Sequence, residues 1–367
     1  MSIIKTDVLI AGGGPAGAAA AISLLNNGSV DVTIIEQSAL DNNRVGEHVS
    51  AAIFDLLKYL KIETDAFGED CFLPNYGNTS YWGIDQPMLR DSILTTERSS
   101  HQLDRENFDL TLLKRVSDLG GRVIPRTKCV ACNQLDDGSW EINARHLTND
   151  DFTIHARYLV DATGRQASIC RQLAIPSTKQ DQLVAVGTYL HFNGQTMPQE
   201  VTIETTELGW WYCARLKDNR ISTMFFSDAD IVSKHEINKS EKWAQLLAST
   251  RHIKEKIRGG QSVDTSPWVR NAYSQITDNS KSKNFIAIGD AAAAFDPVSS
   301  MGIGFAITSA CTGAAIILAE LTQHEPSRIA TYQSDLERNF GNYLVMRKNI
   351  YQQEKRWPQS EFWARRQ

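Results

Sequence analysis

Cysteine is scarce in this 367-residue chain. Cys71, Cys129, Cys132, Cys170, Cys213 and Cys311 are too few and too unevenly spaced for a disulfide scaffold. An excess of basic charge is missing too. The 38 Lys and Arg stand against 43 Asp and Glu, a net charge of −5, which excludes the phosphate-neutralising surface of a nucleic-acid binder. There is no H-E-x-x-H and no paired C-x-x-C, so no metal is expected, and no G-x-S-x-G of a hydrolase elbow. The N-terminal MSIIKTDVLIAGGG lacks the long apolar core of a secretory signal, because Lys5 and Asp7 interrupt it and glycines follow. The reading is a cytoplasmic protein. With 42% hydrophobic and 22% charged residues the composition is that of a globular chain, long enough for two domains or one composite. One run, Gly302 to Leu321, is apolar over nearly a membrane thickness. Its Gly, Ala, Ser and Thr content, with Asp290, Asp296 and Pro297 just upstream, reads as a buried core helix and not a transmembrane span.

The first forty residues carry the strongest pattern. Lys5 to Ala11 reads as a strand buried on both faces. Gly12, Gly14 and Gly17 follow as G-x-G-x-x-G. A helix of small residues then runs to Gly28, and a second strand, Val30 to Ile35, ends at Glu36. Gly12 permits the tight turn, Gly14 the approach of a pyrophosphate, and Gly17 close helix–strand packing. The helix N-terminus offers bare N–H groups to phosphate, and Glu36 stands where a carboxylate meets a ribose diol. Together these are a dinucleotide site.

Further pieces of that domain are scattered along the chain. HQLDRENFDLTLLKRVSDLGGRV, from His101, has Phe108, Leu112, Leu113 and Val116 on helical spacing, with Asp104 as N-cap. Arg105 is out of place at a helix start, where a cation opposes the macrodipole, and so points to an anionic ligand. RYLVDATG and NFIAIGDAAAA each read as a buried strand and a tight turn. FDPVSSMGIGFAITSA opens a second helix N-terminus at Gly302-Ile303-Gly304.

GGGPAG with Glu36, LDRENFD, DATG and GDAAAAFDPVSSMGIG, in this order, resemble the FAD-dependent oxidoreductases of the p-hydroxybenzoate hydroxylase and flavin halogenase type. The resemblance implies an α/β fold. A Rossmann-like FAD-binding domain of the glutathione-reductase type would carry an inserted antiparallel β-sheet substrate domain and C-terminal helices. The expected bounds are 1–72, 101–164 and 276–325 for the FAD-binding domain, 73–100 and 165–275 for the substrate domain, and 326–367 for the C-terminal helical segment. It implies that Gly12, Gly14 and Gly17 cradle the pyrophosphate and Glu36 holds the adenosine ribose. Arg105 would lie near the phosphates or ribityl, Asp290 would bond the ribityl chain, and Gly302, Ile303 and Gly304 would face the N1/O2 edge of the isoalloxazine. Pro15, Ala16, Gln37, Val130, Asp161, Gly164, Gly289 and Pro297 complete the implied contacts. Arg44, Gly46 and Glu47 resemble the R-x-G-E segment that runs beside the flavin, and a helix from Val49 to Leu60 is expected to follow it. His48 reads as a surface or capping histidine, with a proton donor as the alternative.

The 165–275 segment alternates apolar and polar residues in several short runs, as antiparallel strands do. Its aromatics Tyr189, Trp210, Trp211, Tyr212, Phe225 and Phe226 face alternate ways, most into a core and one or two into a pocket. Glu47, His48, Trp210 and Tyr212 are the candidate catalytic residues. Gly209 and Trp210 match the G-W-x-W-x-I-P of halogenases, but Tyr212, Ala214 and Arg215 depart from it. The lysine those enzymes need has no counterpart between Lys61 and Lys114, which disfavours halogenation. The aromatic-x-W-x-F-P of the reductase branch is not met either. Cys129 and Cys132, in a strand-like run, are expected to point to opposite faces and not to form a redox pair. The basic, aromatic tail from Met346 reads as a helix docked on the body, with partner or membrane binding as the alternative.

Within the group the short chain, RVGEH and DPVSSMGIGFAITSA are most similar to the flavoprotein maturases of tryptophylquinone-containing amino-acid oxidases, such as the lysine and glycine oxidases. That resemblance implies an FAD-dependent monooxygenase. It would hydroxylate a tryptophan of a precursor oxidase protein, using O2 and electrons from NAD(P)H or an external reductase. A small-molecule aromatic hydroxylase, a flavin-dependent reductase or halogenase, and a non-catalytic flavin-binding chaperone remain the alternatives.

Overall fold

The computed structural model describes residues 3–40, 44–91, 99–193, 198–281, 283–322 and 327–367. Its first sheet is built on the strand Ile3–Ala11, whose Val8, Leu9 and Ile10 are buried on both faces. Val32–Ile35 and then Arg122–Ile124 lie parallel on one side; Phe152–Asp161 and then Phe285–Ala287 lie parallel on the other. The register sets Ile35, Ala11, Asp161 and Ala287 side by side, so the carboxyl ends of the parallel strands form one rim. The order reverses at Ile3–Ala11, and ligands of open α/β sheets sit in that crevice. Thr127–Gln134 and Trp140–His146 extend the sheet as an antiparallel meander.

The helix Pro15–Asn27 crosses over from the first strand. Its N-cap is Gly14, with no side chain bonding the first turn. The helix Gly302–Thr322 packs along it, with the small residues Ala310 and Ala314 in the shared core, while Gly313 lies against Ile286 and Ile288. This helix is long and apolar enough to cross a membrane, but 61% of its apolar window is buried inside the protein.

A second sheet covers the rim. Its order is Trp268–Asn271, Leu183–His191, Arg220–Asp228, Gly209–Arg215, Glu200–Thr206, Gly77–Tyr81 and Met88–Asp91, with Gln261–Ser262 also on Leu183–His191. Segments from both insertions therefore share one sheet. The tail returns to it. The helix Ile329–Tyr351 leads to Phe362 and Trp363, both fully buried, while Arg365 and Arg366 pair with Asp228 at 2.9 and 2.6 Å. The docked reading of the tail holds for these residues.

Two local expectations fail. The segment after Arg44 does not enter a helix at Val49. His48–Val49 pairs with Gln102 and His101, and the helix runs from Ala52 to Tyr59. Cys129 and Cys132 do not face opposite ways. A register shift places Cys132 opposite Ile142 and Cys129 opposite Ala144, so Val130 is the extra residue of a bulge. Both thiols are buried on one face, 4.0 and 3.7 Å from Gln172 Oε1.

Candidate active site

A cavity of about 320 Å³ lies between the rim of the first sheet and the second sheet. Its floor is made by the two glycine-led helix N-termini. Gly14, Pro15 and Ala16 line it from one, Gly302 and Ile303 from the other. The glycines divide by job. A Cβ on Gly17 would sit 1.9 Å from Gly12 O, and one on Gly12, at φ +113°, 2.3 Å from Ala162 O. These two are fixed by packing. A Cβ on Gly302 or Gly304 would meet nothing within 4 Å, and Gly302 lines the cavity, so its backbone stands open to whatever the cavity holds.

The roof follows from strand register. Cross-strand partners share a face. One rung of that face is Arg270, Ala185, Phe226 and Trp210; the next is Trp268, Gly187, Met224 and Tyr212; the third is Tyr189, Ser222 and Ala214. Ala185, Met224, Phe226, Trp210 and Tyr212 line the cavity. Trp211 and Phe225 point the other way, into a separate core with Trp243. The Trp210 and Phe226 rings stack at 4.0 Å. The Trp210 indole N–H donates to Tyr351 Oη at 3.0 Å, and that phenol donates to Asp296 Oδ2 at 2.7 Å, tying roof, C-terminal helix and floor together.

The charged residues at the cavity are mostly paired. Arg105 forks onto Asp109 at 3.0 and 3.3 Å and donates to the carbonyls of Val45 and Gly46. Its own chain thus supplies the anion that its place at a helix start required. Arg44 reaches the same Asp109 at 2.9 Å. Glu36 accepts from Gly13 N–H at 2.7 Å and from the Ser38 N–H and hydroxyl, which pins it at the end of its strand beside the glycine loop. Asp290 pairs with Arg165 at 3.2 Å. Glu47 is 3% exposed, accepts from the Tyr189 phenol at 3.2 Å, and has its carboxyl pushed up by burial. His48 corrects its surface reading. The residue lines the cavity, neither ring nitrogen has a partner, and burial with His101 beside it pulls its pKa to about 4.

Gly46, Gly164 and Pro297 line the cavity with the residues above; Gly12, Gly17, Glu36, Arg44, Gly289 and Gly304 stand behind or beside the lining. Gln37 lies in a neighbouring groove with Arg126, Lys128 and Arg145, and Val130 is exposed at its bulge. Asp161 needs correction as a ligand-contact residue. It is fully buried and accepts from Thr163 N–H and Oγ1, Ile169 N–H and Cys170 N–H, so its carboxylate holds the turn itself. Sequence reasoning missed Arg165, which donates to the Tyr273 and Phe295 carbonyls as well as Asp290; its place directly after DATG was the available signal. Asp296 and Asn271 were also missed as lining residues, and Tyr189 was read only as one aromatic among several, not as the partner of Glu47.

A family model described as FAD binding domain matches residues 5–347. The putative FAD-dependent oxidoreductase LodB of Marinomonas mediterranea is 41% identical over 360 residues, 98% of this chain and 96% of that protein. Two solved structures share the fold. The myxobacterial halogenase CndH has a TM-score of 0.85 at 22% identity, over 99% of this chain and 86% of that one. The peptidyl tryptophan dihydroxylase QhpG, described as essential for tryptophylquinone cofactor biogenesis, has a TM-score of 0.79 at 22% identity, over 99% and 78%. With two open helix N-termini in one crevice and a model that spans most of its length, this chain belongs to the FAD-binding-domain family of FAD-dependent oxidoreductases, the flavin monooxygenases among them.

Proposed function

We propose that this flavoenzyme hydroxylates a tryptophan side chain of a precursor oxidase protein in the cytoplasm, as a step toward a tryptophylquinone. The observation that carries the reading is the shape of the cavity: two bare helix N-termini below, and a face of Trp210, Phe226, Tyr212 and Met224 above. The floor fits a flavin, because helix N–H groups stabilise the negative charge of its reduced ring. The roof fits an aromatic guest, because offset and edge contacts favour ring on ring. The 41% identity to LodB and the fold shared with QhpG, whose name gives that reaction, support the choice of substrate.

In this reading Gly12, Gly14 and Gly17, with Pro15 and Ala16, receive the pyrophosphate, and Glu36 with Gln37 and Val130 receives the adenosine. Arg44, Gly46 and Arg105 border the flavin; Gly164, Gly289 and Asp290 lie along its ribityl chain; Pro297, Gly302, Ile303 and Gly304 meet its ring. Bound FAD, once reduced by NAD(P)H or a partner reductase, supplies the transfer of an oxygen atom from O2 to an electron-rich ring. The protein excludes water with its apolar roof and holds the guest ring above the floor.

The test is mass spectrometry of the precursor oxidase after incubation with the flavoenzyme, a reductant and O2. One or two oxygen atoms added to a tryptophan-containing peptide is the expected product. Chlorine or bromine incorporation in halide buffer, or no change while a free small aromatic is hydroxylated efficiently, refutes it.

A further inference from the structure

Most carboxylates at the cavity have their oxygens engaged by strong donors. Asp296 accepts from Val298 N–H and from Tyr351, and Asp290 accepts from Arg165. Glu47 differs. Its oxygens accept from Tyr189 Oη at 3.2 Å, a long bond for a hydroxyl, and from the backbone N–H groups of Gly46, at 3.1 Å, and of Glu47 itself, and it lines the cavity. Around it stands a group of buried polar atoms without partners: Gln102 Nε2, Ser222 Oγ, Trp268 Nε1 and both His48 nitrogens. Gln102 is 4% exposed and Ser222 not exposed at all. Tyr212 Oη reaches Gln102 Oε1 at 3.3 Å. Buried polar atoms are rarely left unpaired, because each one loses its hydration without regaining a hydrogen bond. Of the residues with unpaired atoms here, only His48 lines the cavity, together with Glu47 and Tyr212 and beside the aromatic face of Trp210 and Phe226. A buried carboxylate next to an unpartnered imidazole marks a place where a polar edge of a ligand belongs.

We propose that Glu47 is the acceptor for the ring N–H or O–H of the aromatic guest, with Tyr189 positioning its carboxylate and Tyr212 and Gln102 flanking it. This rests on the aromatic-substrate reading above. A ring whose donor points at Glu47 lies with its apolar body against Phe226 and Trp210, both two rungs from Tyr189. When the oxygen adds to a ring carbon as an electrophilic hydroxyl, bringing its own proton, positive charge spreads to the ring nitrogen. The N–H proton then passes to a Glu47 oxygen, and the pair of electrons left behind neutralises the ring. No further oxidant or reductant enters that step.

Groups that face Glu47 from every packed element set its pH dependence. They are Arg105 on its helix, Tyr189 and Tyr212 on the second sheet, and neighbouring His48, with Asp264 and Arg220 acting through Tyr189. Burial pushes the carboxyl up, so acceptance is lost as pH falls through a range above the ordinary carboxylate value.

The experiment titrates the FAD-loaded protein with indole and with 1-methylindole, reading the perturbation of the flavin absorbance. Indole is expected to bind about tenfold more tightly than its methylated twin, since only it can donate to the carboxylate. Glu47→Leu removes that preference. Glu47→Gln keeps the shape and removes its pH dependence, and it serves if the leucine variant fails to fold. Tyr189→Phe weakens the preference only a few-fold, as a positioning residue should. Equal binding of the two probes to the natural protein, or a preference that survives Glu47→Leu, overturns the assignment while leaving the aromatic pocket standing. Binding of neither probe overturns both.

Discussion

Gly302 and Gly17 separate cofactor binding from folding. In Gly17→Ala the new methyl would stand 1.9 Å from Gly12 O and 3.2 Å from the Ile10 side chain. Neither a carbonyl nor a central strand can withdraw, so the variant pays an overpacking penalty of about 1–3 kcal/mol whether or not flavin is present. In Gly302→Ala the methyl meets nothing within 4 Å. The chain loses nothing in packing and gains about 0.5 kcal/mol from the reduced freedom of its unfolded state. The methyl instead occupies the space between the helix N-terminus and its ligand. A hydrogen bond to a charged group is worth about 1.5–3 kcal/mol, so FAD affinity should fall by roughly tenfold or more. Urea unfolding of the flavin-free protein gives the first quantity, and quenching of FAD fluorescence on titration gives the second. Gly302→Ala that binds FAD like the natural protein, or that unfolds earlier than Gly17→Ala, refutes the claim that the open N-terminus is built for the cofactor.

Three further outcomes follow from buried polar groups. Asp161→Ala leaves the Ile169 and Cys170 N–H groups without an acceptor and should cost about 3 kcal/mol in urea unfolding, with or without FAD. His48 is held neutral, its pKa depressed from 6.5 to about 4, so its contribution to stability is full above pH 6.5 and is lost as pH falls toward 4. That loss is at most about 3 kcal/mol, and His48→Leu should flatten the stability curve between pH 7 and 4. Tyr351→Phe removes the phenol between Trp210 and Asp296 and should blue- or red-shift Trp210-dependent fluorescence and lower stability by about 1–3 kcal/mol; an unchanged spectrum and midpoint would show that this tie is idle.

The glycine turn, the two buried strands and the long apolar helix were legible because each is set by local chemistry: the lack of a Cβ, apolar runs on both faces of a strand, and small residues on a helix. Arg105 was legible as an anomaly but not in its resolution, since Asp109 lies on the same helix and the sequence alone does not say whether a partner or a ligand supplies the charge. Cys129 and Cys132 misled because a one-residue bulge at Val130 inverts the alternation that their spacing predicts, and a bulge has no fixed sequence mark outside glycine. The roof was half legible. Alternation separated Trp210, Tyr212 and Phe226 from Trp211 and Phe225, but which set met the cavity depended on pairing across three strands. Glu47, Tyr189 and Gln102 lie far apart in the chain, and no spacing rule brings them together.

Under the proposed function, the docked tail bears on how a protein substrate would reach the cavity. Trp363 donates to the Thr206 carbonyl at 2.8 Å, and its ring lies 5.6 Å from Trp82 and 6.0 Å from Tyr351, the residue that holds Trp210. Asp228, 3% exposed at its side chain, is neutralised from the tail by both Arg365 and Arg366. Pulling the tail away would strand that carboxylate in the protein, at a cost of about 3–5 kcal/mol for an unpaired buried charge. The tail is therefore part of the wall behind the roof. Under that proposed function, an incoming tryptophan would arrive from another side, and Arg270 and Asn271 line the cavity from a strand whose residues Val269 to Asn271 are exposed to solvent. Substitutions on the outer surface of that strand should slow modification of a protein substrate while leaving the binding of free indole unchanged.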